Sequence, residues 1–375
     1  MTKGQLKAMR SIQICRTAEL GGHVEECDEC GSIRISYNSC RNRHCPKCQS
    51  IPTERWLSER RAELLPINYF HVVFTIPDDL YPIMYSNQSM GYGIFFRAVS
   101  ETLLELTKDK KYLGAKVGIT SILHTWGQII MFHPHLHCLL TGGGLSYKNE
   151  WISFRNDYFL PVKVMSRLFR GKLLDYIKKE YYKGRLKLSE EMNDLRVINN
   201  FEDFIGNLKS KEWVVYCKPL FKNPEKVLEY FGRYTHRVAI SNYRIIKIEN
   251  DKVYFKWKDY SDGGKTKIMV LEAVEFIRRF LLHILPRKFV KIRYYGLLGN
   301  RKRREKIKFI RELLSKERIT SDTECIEEKS WQELYYDLTG INIDICPVCK
   351  KGHMKMKEKL LPACALSPPN MRCAA

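Results

Sequence analysis

The sequence predicts an α+β protein with a largely antiparallel sheet, and three observations carry that expectation. Short aromatic and β-branched runs of strand length are mixed with longer periodic segments of helix length. Hydrophobic residues make up 44% of the 375 and aromatic residues 12%, enough for a packed core and against disorder. No stretch approaches the ~20 uncharged apolar residues of a membrane span.

The elements follow in order. Residues 53–65 read as a basic helix that ends before Pro66. Residues 69–76 read as a strand, aromatic and β-branched, stopped by Pro77. Residues 91–108 read as a helix. Residues 117–126 and 135–141 read as two strands on a short connection, the second stopped by Gly142-Gly-Gly144. A basic helix is expected over 164–183 and a strand over 213–217. Asn223 as N-cap and Pro224 at the first position open a helix over 224–236. Residues 253–257 and 267–271 make a hairpin around Asp262-Gly-Gly264, and a helix over 271–284 ends before Pro286. Three segments are expected: a cysteine-rich head at 1–65, a mixed core at 66–300 and a basic tail at 301–375.

Charge and cysteines narrow the function. Sixty-four Lys and Arg oppose 42 Asp and Glu, a formal net charge of +22, which points to a polyanionic partner, nucleic acid first. The 13 cysteines fit no closed disulfide framework, and residues 1–10 lack the apolar core of a signal peptide. Reduced thiols inside a cell are therefore expected, with clustered cysteines as metal ligands.

Six cysteines lie between Cys15 and Cys48. Cys27-x-x-Cys30 and Cys45-Pro-Lys-Cys48 are two pairs at zinc-site separation, each able to supply two thiolate corners of a tetrahedron. Cys15, His23, Cys40 and His44 are also within reach, so eight candidates could hold one or two structural zinc ions. Arg41, Arg43, Lys47, Arg55, Arg60 and Arg61 around them suit phosphate contact. In the tail, Cys346-Pro-Val-Cys349 is half of a further zinc site, with His353, Cys364 or Cys373 to complete it. Arg293 and the run Asn300-Arg-Lys-Arg-Arg304, with Arg301 and Arg303, are expected on DNA backbone.

The core carries His133-Pro-His135-Leu-His137. Side chains alternate along a strand, so His135 and His137 share a face and form a two-point imidazole site. Gln128 follows the preceding strand and is the candidate third ligand; two imidazoles and an amide suit an exchangeable Mg or Mn ion on a phosphate oxygen. In Tyr230-Phe-Gly-Arg-Tyr234 the four-residue spacing puts two phenols on one helical face, with Arg233 and Arg237 nearby. A tyrosine oxygen can attack a phosphodiester and keep the bond energy as a phosphotyrosine.

Together these pieces resemble the HUH-type transposases of rolling-circle insertion sequences, in the IS91-like group with its zinc-binding head. The matching stretches include Tyr37-Asn-Ser-Cys-Arg-Asn-Arg-His-Cys-Pro-Lys-Cys-Gln49, His71-Val-Val-Phe-Thr-Ile-Pro77, His124-Thr-Trp-Gly-Gln128, His133-Pro-His-Leu-His-Cys138, Trp213-Val-Val-Tyr-Cys-Lys-Pro219, Tyr230-Phe-Gly-Arg-Tyr-Thr-His-Arg237 and Arg293-Tyr-Tyr-Gly-Leu-Leu298. The resemblance implies a ferredoxin-like nuclease core, His135 and His137 as metal ligands, and Tyr230 and Tyr234 as nucleophiles. It implies cleavage and rejoining of single-stranded DNA at transposon ends and target, through a 5′-phosphotyrosine and a free 3′-hydroxyl. It also implies a DNA-associated protein of a bacterial or archaeal cytoplasm. No Walker-type loop appears, so host replication or helicase factors would open duplex DNA. A replication initiator or relaxase would use the same chemistry. A zinc-finger regulator that binds DNA without cutting it would leave the paired histidines and tyrosines without a purpose.

Overall fold

The computed structural model describes residues 1–61, 63–154, 159–220, 227, 232, 239–317 and 330–363. Its strands are β1 (Gly22–Cys27), β2 (Ile33–Tyr37), β3 (Tyr69–Thr75), β4 (Lys116–Trp126), β5 (Phe132–Leu145) and β6 (Trp151–Ser153). They continue with β7 (Val215–Leu220), β8 (Ile245–Glu249), β9 (Lys252–Asp259), β10 (Lys265–Glu272), β11 (Ile292–Gly296) and β12 (Met354–Leu360). Every ladder among them is antiparallel, and helices accompany them, so the fold class is α+β as expected. Among the described residues no helix is long and apolar enough to cross a membrane.

The chain divides into two compact units. One takes Met1–Glu59, His236–Tyr243 and Cys325–Ala375; the other takes Arg60–Thr235 and Arg244–Glu324. The larger unit is built on a six-stranded sheet in the order β11-β4-β5-β3-β7, with β6 paired to β5. One face is covered by the helices Gln88–Lys108 and Val162–Tyr182. The first presents Tyr92, Phe95, Phe96, Val99, Leu103 and Leu106, a three-and-four spacing that turns one stripe inward. Phe74 of β3 meets Phe169 edge-on at 5.1 Å, and Phe95 lies 5.7 Å from the same ring. Fully burying each such aromatic contributes about 1.5–3 kcal/mol. A smaller core joins Leu65, Leu297, Ile307, Ile310 and Leu314, the last three from the helix Arg303–Glu317.

The glycines at 142–144 do not stop β5, as the sequence reading expected; the strand runs through them to Leu145. A Cβ there would stand 2.5 Å from the Asn68 carbonyl oxygen, 2.6 Å from that of Ile152 and 2.4 Å from that of Lys116 respectively. Three backbones converge on this stretch, and only glycine lets them.

Also in this unit, β8, β9 and β10 form a separate three-stranded sheet. Its β9–β10 turn uses Gly263 and Gly264 at φ of 61° and 78°, the left-handed values that the Asp-Gly-Gly signal asked for. The smaller unit carries the sheet β12-β1-β2. Of the helix expected over 224–236, Val227 and Gly232 are described, both helical, and the rest lies outside the described residues.

Candidate functional site

The site grows from the register of the central sheet. In β5 the even positions Leu136, Cys138 and Leu140 enter the helix-covered core. His135 and His137 therefore share the opposite face. Pairing sets His124 of β4 directly across from His135 and His71 of β3 across from Leu139, so all four imidazoles stand on one side. Ring nitrogens of His124, His135 and His137 lie within 4.8 Å of one another. The Nε2 atoms of His135 and His137 are 3.1 Å apart. That matches neighbouring corners of an octahedron about a cation held at roughly 2.1 Å, which stand about 3.0 Å apart.

The surroundings fix these rings. His135 donates from Nδ1 to the His133 carbonyl at 2.7 Å, which turns its Nε2 lone pair toward the cluster. His137 Nδ1 pairs with His71 Nε2 at 2.9 Å, the two rings nearly parallel at 6°. His124 stacks on Trp126 with centroids 4.5 Å apart. Burial pushes His135 down to about 3 and His71 down to about 4, so both are neutral at ordinary pH, the form in which imidazole binds metal. His133 is turned elsewhere; its Nδ1 meets the Tyr81 hydroxyl.

Gln128, the candidate third ligand, points away from this cluster. Its Nε2 donates to the Tyr260 hydroxyl at 3.4 Å and its Oε1 accepts from the Lys258 amide at 3.5 Å, tying the connection to the β9–β10 hairpin. The third imidazole, His124, was visible in the sequence. Counting outward from the 127–131 connection sets it opposite Pro134, and the bulge between His124 and Trp126 moves it across from His135, so neither that count nor alternation within one strand finds the pairing.

The cysteines form two quartets. Cys15, Cys40, Cys45 and Cys48 make one; Cys27, Cys30, Cys346 and Cys349 make the other, each with sulfurs within 4.8 Å. All eight thiols suit tetrahedral zinc. The two pairs read from the head thus fall in different clusters, and the tail pair completes the second. His23 and His44 belong to neither: His23 lies 3.7 Å from Glu25 and His44 Nε2 3.4 Å from Arg43 Nε. His353 joins through its backbone amide, which donates to Asp28 at 2.7 Å. Cys364 and Cys373 lie outside the described residues.

Tyr230, Tyr234, Arg233 and Arg237 also lie outside the described residues. Of the basic candidates, Arg41, Lys47, Arg55 and Arg301 are exposed. Burial lowers the pKa of Arg43. Arg293 is held over the rings of Phe96 and Phe289 at 4.3 and 5.2 Å. Arg303 pairs with Glu63 at 2.9 Å and lies over Tyr294.

Two thiol quartets, together with three clustered imidazoles on an antiparallel sheet that could hold a further metal ion, define a zinc-binding α+β protein. Residues 118–306 match the family described as "Putative transposase", and residues 1–76 match the "Transposase zinc-binding domain". The chain is 48% identical over 355 residues to "Putative transposase y4qJ" of Sinorhizobium fredii, covering 94% of this chain and 89% of that one. It is 26% identical over 302 residues to "Transposase for insertion sequence element IS801" of Pseudomonas savastanoi pv. phaseolicola, covering 79% and 71%. No solved structure matches it. The chain belongs to the IS91-like transposases, which carry an N-terminal zinc-binding domain.

Proposed function

We propose that this transposase cuts and rejoins single-stranded DNA at the ends of its element and at the target by tyrosine attack. The observation that carries the reading is the three-imidazole cluster on the face of the central sheet opposite its covering helices. In this reading residues 1–65 grip DNA, 66–300 hold the chemistry and 301–375 add basic contacts.

A divalent cation held by His124, His135 and His137 would polarise the scissile phosphate and orient it. Manganese suits three imidazole nitrogens better than magnesium, which prefers oxygen. The Tyr230 or Tyr234 oxygen loses its proton and bonds to phosphorus in line. The bond from phosphorus to the 3′ oxygen breaks, and that oxygen takes a proton to become a free 3′-hydroxyl. A 3′-hydroxyl attacking the 5′-phosphotyrosine reverses the step without ATP. A second tyrosine lets one end stay bound while another is cut.

The test is incubation of purified protein with labelled single strands from the element's ends, in Mn or Mg. A covalent adduct is expected, lost in the Tyr230→Phe, Tyr234→Phe double variant. His135→Ala, His137→Ala protein should bind the strands and leave them whole. No adduct with any end sequence in either metal overturns the reading.

A further inference from the structure

We infer that the two ends of the chain share one zinc ion, and that the Cys27–Cys30 half-site of the N-terminal head is closed by the C-terminal knuckle. The ligands are Cys27 and Cys30 from the head and Cys346 and Cys349 from the tail.

Sulfur spacing is the first argument. Cys27 Sγ lies 3.6 Å from Cys349 Sγ, and Cys30 Sγ lies 3.7 Å from Cys346 Sγ. Four thiolates about a zinc ion with bonds of about 2.3 Å form a tetrahedron whose edges are about 3.8 Å, whereas a disulfide would need about 2.05 Å. The observed contacts run crosswise, head to tail, so neither pair makes a site of its own.

The second argument is that both loops are built alike. After the second cysteine of each comes a left-handed residue, Gly31 at φ 66° and Lys350 at φ 58°. Its amide donates to the carbonyl of the first cysteine, at 3.1 Å in the head and 3.0 Å in the tail. The first cysteine's own amide donates onward, Cys27 to Ser32 at 3.0 Å and Cys346 to Gly352 at 2.8 Å. Amides also reach the sulfurs, Cys30 N to Cys27 Sγ at 3.5 Å and Gly352 N to Cys349 Sγ at 3.4 Å. Such donors stabilise thiolate charge. Two knuckles of one shape, facing each other, make a closed four-sulfur site.

Third, the tail is docked on the head by more than sulfur. β12 pairs with β1 from Gly22↔Leu360 to Cys27↔Met354. Arg34 reaches from β2 to the Ile343 carbonyl at 2.8 Å. A Cβ on Gly352 would stand 2.5 Å from Cys27 Sγ, so glycine is what lets the tail knuckle close over that sulfur.

The test uses the full-length protein with its native metal. Zinc per chain is measured by elemental mass spectrometry, and each cysteine's protection is read by alkylation while a chelator is titrated in. Two zinc ions per chain are expected. Cys27, Cys30, Cys346 and Cys349 should become reactive together, as one block apart from Cys15, Cys40, Cys45 and Cys48. The Cys346→Ser, Cys349→Ser variant should retain one zinc and expose Cys27 and Cys30. Alkylation of Cys346 and Cys349 at the rate of free thiols in the native protein, with Cys27 and Cys30 still protected, overturns the inference without depending on any variant's folding. Two retained zinc ions in the serine variant would overturn it as well.

Discussion

At the scale of single residues, the histidine face separates three candidate ligands from a side chain placed to orient them. His124, His135 and His137 turn ring nitrogens toward one another, while His71 bonds to the far side of His137 at 2.9 Å. A partner behind a ligand fixes its tautomer and ring angle, and its loss lowers metal affinity by roughly 10–100-fold. His71→Phe should therefore raise the Mn concentration needed for half-maximal strand cleavage by that factor. Saturating Mn should restore the rate, and thermal stability should stay close to that of the parent. An unchanged Mn requirement would remove His71 from this role. His124→Ala should lose cleavage, whereas Gln128→Ala should leave the Mn requirement where it is, because Gln128 is bonded to Tyr260 and Lys258. The His135–Leu136–His137 pair was legible because strand alternation is local. The third imidazole needed the register between two strands, in which a bulge falls between His124 and Trp126. Tyr230 and Tyr234 rest on their spacing in the sequence.

Elements show the same division between local and distant information. The strands β3, β4 and β9 announce themselves by aromatic and β-branched residues and by Pro and Gly at their ends. β12 does not: Met354-Lys-Met-Lys-Glu-Lys-Leu360 is mostly charged, and it is a strand because β1 offers it a ladder and cross-strand partners such as Glu26 for Lys357. The glycines of β5 mislead for a related reason, since their neighbours come from elsewhere in the chain. Gly144→Ala places a methyl 2.4 Å from the Lys116 carbonyl oxygen and should cost about 1–3 kcal/mol in denaturant unfolding. An unchanged midpoint would mean the strands can part there. A second test at this scale concerns Lys211, just after the helix Ile198–Ser210, whose ammonium contacts both Asp79 carboxylate oxygens at 2.7 and 2.8 Å. Lys211 holds the Asp79 pKa below its ordinary value. A lowered carboxylate pKa adds stability above its unfolded value of about 3.9 and loses it as pH falls through the folded one. Both side chains are partly in water, so Lys211→Ala should cost about 0.2–1 kcal/mol at pH 7. It should cost nothing once Asp79 is protonated, and an equal loss at both pH values would mean the contact is not electrostatic.

For the molecule as a whole, the charge of +22 is the fact that internal contacts cannot absorb. Some cations are spent within the fold: Arg303 on Glu63 and Tyr294, Arg278 and Arg279 on Glu275, Arg244 on the Lys256 and Gln128 carbonyls. Others face water, among them Arg41, Lys47 and Arg55 of the zinc-binding head. A transposase must hold DNA through cutting and rejoining, and exposed cations on phosphates supply that grip independently of sequence. Each phosphate neutralised releases a counterion, so on single strands the logarithm of affinity should fall with the logarithm of salt at a slope of about −0.7 per contact. Six or more such contacts give a slope steeper than about −4. Replacing Arg41, Lys47 and Arg55 by Ala one at a time should each flatten the slope by about 0.7, with little change in preference among sequences. Fluorescence anisotropy across a salt series measures it. A flat dependence in the parent protein would mean that base stacking or another uncharged contact holds the strand, and that the excess charge serves something other than DNA.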